Sequence, residues 1–228
     1  MLIVIEGIDG SGKGTQSQLL MDRLAEAGYD VHLFSFPRYM EKFGKLVGRY
    51  LNGDFGELDR VHPQLASLLY SLDRFDVKNE LEAQLAIRDV VICDRYVPSN
   101  IAHQCARLSD SEEAEELNKF LVDLEYVTFG LPVPNNVIQL DLPVQMAQKL
   151  IAKKAGRDYT DKDADLHESD ANYLGEVRKW YSRASLKGQH AVCWNQIRVD
   201  RNGHIRSVED VHQDIWTLVG LESKSDDN

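Results

Sequence analysis

The sequence predicts an α/β fold, a five-stranded parallel sheet flanked by helices. Short β-branched runs alternate with longer helical patterns, the arrangement that builds parallel strands joined by crossover helices. Two of those runs are nearly continuous in apolar residues, as strands covered on both faces are. The 228 residues suit one such domain, a length that buries roughly 70% of the unfolded chain's surface.

The strands are expected at residues 2 to 6, 31 to 36, 90 to 94, 136 to 141 and 191 to 199. The first and third carry the continuous apolar character, and the other three are more mixed. A helix over 63 to 85 opens with Pro63, suited to the first helical position, and repeats Leu65, Leu68, Leu69 and Leu72 at three- and four-residue spacing. A second, over 112 to 128, repeats Leu117, Phe120, Leu121 and Leu124, and Ser109 stands three residues before Glu112 as a capping box would require. The stretch 171 to 186 sets Tyr173, Val177, Trp180 and Tyr181 on one face, a core pattern. Residues 222 to 228 are short, polar and charged, and are expected to fray.

Composition excludes several partners. Lys and Arg number 26 against 37 Asp and Glu, a net charge of −11 that repels a nucleic-acid backbone. Cys93, Cys105 and Cys193 show no metal-binding spacing, so buried reduced thiols and a reducing compartment are expected. No run approaches the roughly 18 apolar residues of a membrane span. Met1 leads directly into a strand without the marks of a signal peptide, so the expected location is cytoplasmic.

The chemistry is concentrated at strand ends. Gly7-Ile8-Asp9-Gly10-Ser11-Gly12-Lys13-Gly14-Thr15 follows the first strand and leads into a helix. Glycines without Cβ let backbone N–H groups converge on phosphate oxygens, Lys13 adds a cation, and the helix start adds its positive dipole end. Gly14 stands where a Ser or Thr usually follows the lysine, and the hydroxyl arrives one residue later as Thr15. The third strand ends in Asp94-Arg95-Tyr96, where an aspartate can hold Mg²⁺ and an arginine can clamp a second phosphate. The second strand ends in Phe36-Pro37-Arg38-Tyr39, which aims Arg38 at the same crevice. Tyr70 and Arg74 lie at i and i+4, so a ring and a guanidinium share one helix face and suit a base.

In order and spacing, the phosphate loop, Phe36 to Tyr39, Leu68 to Arg74 and Asp94 to Asn100 resemble the thymidylate kinases over nearly the whole chain. The resemblance implies a P-loop NTPase three-layer sandwich, one domain over residues 1 to 221, with a lid segment at about 153 to 168. It implies transfer of the γ-phosphoryl of ATP to dTMP with Mg²⁺ bridging the nucleotides, and a homodimer formed by helices flanking the sheet. Residues matched to family positions take their roles from it. Gly7, Ile8, Asp9, Gly10, Ser11, Gly12, Lys13, Gly14 and Thr15 would hold ATP, with Thr15 and Asp94 as the metal environment. Asp9 would reach the acceptor's 3′-hydroxyl, and Arg38 and Arg95 would bind the acceptor phosphate. Tyr70 would stack on thymine, Arg74 would donate to O4, Asn100 would face N3, and Pro37 the 5-methyl group. Tyr39 and Ser99 complete that site. His103 stands where bacterial members often have an aromatic, near the sugar's 2′ position. The turn Asp200 to His204 falls near the family's adenine seat. The catalytic set is then Lys13, Asp94, Arg95 and a lid cation. Some relatives carry an arginine in the loop, but the two candidate positions here are Gly10 and Gly14, which leaves Lys153, Lys154 and Arg157, with the planar guanidinium of Arg157 the best match to phosphoryl oxygens.

Three other readings stay open on the sequence. Another monophosphate kinase of the adenylate kinase type would share Gly14-Thr15-Gln16, though not Phe36-Pro37-Arg38 or Leu68 to Arg74. A deoxynucleoside kinase would not need two arginines on an acceptor phosphate. A nucleotide-binding switch without acceptor chemistry would use the loop alone, and the Asn-Lys-x-Asp segment of guanine-binding switches is absent.

Overall fold

The computed structural model describes residues 1–57, 60–152, 170–187, 193–221 and 224, with the side chains of 184–187 excepted. In chain order the elements begin with β1 (Leu2–Gly7), α1 (Lys13–Glu26), β2 (Val31–Ser35), α2 (Lys42–Leu51), α3 (Pro63–Asp76) and α4 (Lys78–Ile87). Then come β3 (Val90–Asp94), α5 (Val97–Cys105), α6 (Ser111–Val122), a π-helix (Asp123–Thr128), β4 (Asn136–Asp141) and α7 (Val144–Ile151). The chain continues through α8 (Ala171–Lys187), β5 (Cys193–Arg198), the short strands β6 (Asp200–Arg201) and β7 (His204–Ile205), and α9 (Val208–Val219).

Five parallel strands form one sheet in the order β2-β3-β1-β4-β5. This is the architecture the apolar runs predict. Central β1 is buried along its whole length, and Ile3 pairs with Ile92 on one side and Asn136 on the other. Strand order reverses at β1, so the crevice beyond its carboxyl end is where such sheets bind ligands. β6 and β7 form a hairpin through Asn202-Gly203, whose φ values of 52° and 78° suit a tight turn of these residue types.

Several boundaries differ from the sequence expectation. The helix expected over 63 to 85 is two, because the Val77 amide reaches back to the Arg74 carbonyl and α4 starts again at Lys78. The cap of α6 is Asp110 rather than Ser109. Its carboxylate accepts from the Glu112 and Glu113 amides at 2.7 and 3.3 Å, one residue nearer those donors and equally suited to them. The helix expected to run to 128 changes at Asp123 from α to π winding. Cys93 and Cys105 are buried as expected, but Cys193 is exposed, since β5 is the sheet's edge. The expected lid, including Lys153, Lys154 and Arg157, lies outside the described residues, as does the tail apart from Lys224. That lysine's ammonium is 2.7 Å from Asp89.

A smaller cluster of Val47, Tyr50, Leu51 and Ala66 joins α2 to α3, with Tyr39 and Tyr70 packed against it. Here Gly44 makes a close backbone approach. A Cβ at this position would lie 1.8 Å from the Arg38 carbonyl oxygen and 2.2 Å from its carbon. Gly44→Ala is expected to push α2 off the Phe36–Tyr39 turn and lower stability by about 1–3 kcal/mol. Urea unfolding measures the loss; an unshifted midpoint would mean that the turn yields freely.

Candidate active site

The phosphate loop lies at the carboxyl end of β1. Gly12, with φ of 91°, stands before α1, and Lys13 opens that helix. The Lys13 ammonium donates to the Ile8 carbonyl at 2.8 Å and lies 4.0 Å from Asp9. Burial lowers its pKa to about 8, Arg95 pushes the same way, and Asp9, Asp94 and Glu6 oppose the shift. An open cavity of about 1060 Å³ borders Gly10 to Gly12 and Gly14 to Gln16, then extends to Val199, Ile205 to Val208 and Val211. It lies on the side where the Asn202-Gly203 hairpin packs.

The lysine's lowered pKa has two opposed consequences. Between about pH 8 and the unfolded value near 10.4, the unfolded state binds more protons at this site. The site's contribution to stability therefore rises with pH through that window. Phosphate binding needs the charged form. Thus kcat/KM for the phosphate donor is expected to fall above about pH 8 while urea stability does not fall with it. A donor kcat/KM flat to pH 10 would contradict this role.

A magnesium ion fits the donors present. A Cβ on Gly14 would lie 3.2 Å from Asp94 Oδ2, so this glycine leaves room beside the carboxylate, and Thr15 borders the same cavity. Among the described residues no group of three His, Cys, Asp or Glu side chains could hold a metal. The protein thus offers hard oxygen ligands in small number, and nucleotide phosphates would supply the rest, as Mg²⁺ prefers.

On the other side of the loop a second cavity of about 600 Å³ is lined by Asp9, Pro37, Tyr39, Tyr70, Arg74, Arg95, Ser99, Asn100 and His103. All were expected at the acceptor site. Phe36, Leu51, Asp73 and Gln104 also line it. Arg38 does not. Its guanidinium donates to the Asp73 carbonyl at 2.9 Å and to Asp76 at 2.7 Å, while the buried Asp73 carboxylate accepts its backbone N–H at 2.8 Å. Burial raises the Asp73 pKa against the pull of Arg38 and Arg74.

Arg95 has a left-handed backbone, φ 66°, which is uncommon for a bulky residue and clusters at functional sites. The conformation turns its guanidinium back toward the loop, where it pairs with Asp9 and donates to Ser99 Oγ at 3.1 Å. Glu6, fully buried in β1, anchors the start of α5. It accepts from the Tyr96 and Ser99 amides at 2.9 and 3.1 Å and from the Ser99 and Tyr181 hydroxyls at 2.6 and 2.9 Å. Burial raises its pKa, and these donors with Arg95 oppose the rise. His103 meets Tyr173 from α8. The Tyr173 hydroxyl donates to the His103 carbonyl at 3.1 Å, and His103 Nδ1 lies 2.9 Å from that hydroxyl.

One end of this cavity is built on a charge pair inside the protein. Arg74 is 2% exposed and Glu125, from the π-helix, is 0% exposed. Arg74 Nε and Nη2 donate to the two Glu125 oxygens at 2.5 and 2.6 Å. Burial works against the guanidinium's charge, but Glu125 outweighs it and the Arg74 pKa is raised. Asn100 Nδ2 donates to Glu125 Oε1 at 2.9 Å, and to the Ser67 carbonyl and Ser71 Oγ at 3.1 Å each. Its Oδ1 is buried without a hydrogen-bond partner among the described residues.

A family model described as thymidylate kinase matches residues 5–195. The chain belongs to the thymidylate kinase family. A probable thymidylate kinase of Thermococcus onnurineus is 35% identical over 227 residues, which cover 97% of this chain and 98% of the relative. The thymidylate kinase of Schizosaccharomyces pombe is 34% identical over 218 residues, 96% of this chain and 90% of the relative. That of Mycobacterium tuberculosis is 31% identical over 189, covering 82% and 87%. Among solved structures, thymidylate kinase from Candida albicans superposes with a TM-score of 0.71 at 23% identity, covering 96% of this chain and 90% of that one. At that identity the likeness speaks for the fold.

Besides the lining residues Phe36, Leu51, Asp73 and Gln104, four residues that brace the site were missed in the sequence. Tyr173 and Tyr181 were assigned to the core, where they do lie, yet their hydroxyls serve His103 and Glu6. Glu6 was visible as the one charge in an apolar strand. Glu125 continues the row Leu117, Leu121 at four-residue spacing, and a carboxylate on a buried row calls for a buried cation.

Proposed function

We propose that this chain transfers the γ-phosphoryl group of ATP to dTMP, giving dTDP and ADP. The observation that carries the proposal is that two cavities flank the phosphate loop, where Asp9 lines one and the adjacent Gly10 borders the other. Such an arrangement lets a donor phosphate and an acceptor phosphate approach in line, and phosphoryl transfer depends mainly on positioning and charge stabilisation.

Lys13 and the loop amides hold the donor phosphates. Arg95, aimed at the loop by its backbone, neutralises the acceptor phosphate, and Asp9 keeps that guanidinium in place as well as facing the sugar's 3′-hydroxyl. Arg38 joins Arg95 at the phosphate when it leaves the carboxylates that hold it. Tyr70 stacks on thymine, Pro37 and Tyr39 close the wall beside it, and His103 and Ser99 border the sugar. Mg²⁺ held by Thr15, Asp94 and the phosphates would draw charge from the transferred group. Arg157 supplies the remaining cation from the lid: a Cβ on Gly10 would lie 2.6 Å from the Ala147 carbonyl, and one on Gly14 would crowd Asp94, so neither loop position suits an arginine. Arg157→Ala should lower kcat and leave KM for dTMP nearly unchanged; wild-type kcat would move the role to Lys153 or Lys154.

A coupled ADP-release assay over dTMP, dUMP, AMP, CMP, GMP and thymidine tests the function. Turnover of thymidine without dTMP would overturn it. Preference for AMP would favour the adenylate kinase alternative. The proposal includes a cytoplasmic homodimer, its dimeric state measurable by sedimentation. No described helix is long and apolar enough to cross a membrane.

A further inference from the structure

We propose that Glu125 is a positioning residue that makes the acceptor cavity select pyrimidines carrying a proton on N3. The proposal rests on the kinase reading above. Its basis is the accounting of hydrogen bonds around one buried carboxylate.

Two of the three groups facing Asn100 Nδ2 are the Ser67 carbonyl and Glu125 Oε1, both of which can only accept. The amide therefore has one permitted orientation, with its nitrogen turned inward. Among the described residues Oδ1 is left without a partner, in a residue that is 2% exposed and lines the cavity. An orphaned buried acceptor is costly and calls for a donor. Thymine and uracil present N3–H, whereas cytosine presents a bare N3 lone pair. The same carboxylate takes Nε and one N–H of Nη2 of Arg74, so Nη1 and the second N–H of Nη2 are left to donate to the base's O4. One side chain thus sets an acceptor and a donor side by side, the complement of the N3–H/O4 edge.

The π winding is what places it. α6 ends at Val122, and the six residues Asp123–Thr128 follow in wider turns, a geometry frequent at functional sites. Glu125 there reaches across to Ser71, Arg74 and Asn100 on α3 and α5.

Glu125→Gln keeps the shape but puts a donor where the carboxylate only accepted, which permits the Asn100 amide to turn over. The readout is the ratio of kcat/KM for dTMP to that for dCMP, with KM for ATP and the melting temperature measured alongside. The ratio is expected to fall at least about tenfold in Glu125→Gln. Ser71→Ala, which leaves the Arg74–Glu125 pair whole and guards against a Gln variant that does not fold, should lower it roughly threefold. Equal losses on dTMP and dCMP, leaving the ratio at its wild-type value in both variants, would make Glu125 merely structural and overturn the proposal. A wild-type protein inert on dTMP would instead overturn the kinase reading, and this inference with it.

Discussion

Lys13→Met is expected to give a folded protein whose kcat/KM is about 10²- to 10³-fold lower, the loss typical of removing one preorganised stabiliser of transition-state charge. The lysine is buried, yet it makes a single hydrogen bond within the described residues, to the Ile8 carbonyl. Its lowered pKa shows that the folded protein holds the ammonium at some expense. Methionine occupies nearly the same volume and removes that burden. Far-ultraviolet circular dichroism and urea unfolding should match the parent while steady-state turnover collapses. A variant that unfolds, or one that turns over normally, would assign Lys13 to the scaffold.

Glu125→Ala is expected to lower stability by about 3–5 kcal/mol, because it strips the counter-charge from a guanidinium that is almost wholly buried. Arg74 cannot shed its proton, and its neighbours Ser71 and Asn100 lose an acceptor in the same step. The converse variant separates charge from packing. Replacing the pair together, as Arg74→Met with Glu125→Leu, should cost clearly less than Glu125→Ala alone, since no isolated charge remains. Chemical denaturation of the three proteins measures both. A loss under about 1 kcal/mol for Glu125→Ala would mean that solvent enters and replaces the carboxylate.

The sheet was legible because each strand is a short apolar run, and the loop because its glycines and lysine are contiguous. The residues that line the second cavity were legible to the extent that they sit at strand ends or one turn apart, as Tyr70 and Arg74 do. What could not be seen was pairing across distance. Glu6 meets Ser99 and Tyr181 over 93 and 175 residues, and Glu125 meets Arg74 over 51. Spacing rules carry no information about such pairs. Arg38 shows the same limit from the other side: its position promised a cation in the crevice, and here the guanidinium pairs with Asp73 and Asp76 on α3. The split at Val77 escaped because neither proline nor glycine marks it in the sequence.

The clasp of Glu6 on the start of α5 also sets a timescale. Amides in the first turn of a helix ordinarily lack a partner within it and exchange their protons quickly. Those of Tyr96 and Ser99 are instead held by a carboxylate from the central strand, so deuterium should enter them as slowly as it enters the sheet. A mass or NMR record of these two positions would show whether the strand that ends in the phosphate loop and the helix that bears Asn100 open as one unit.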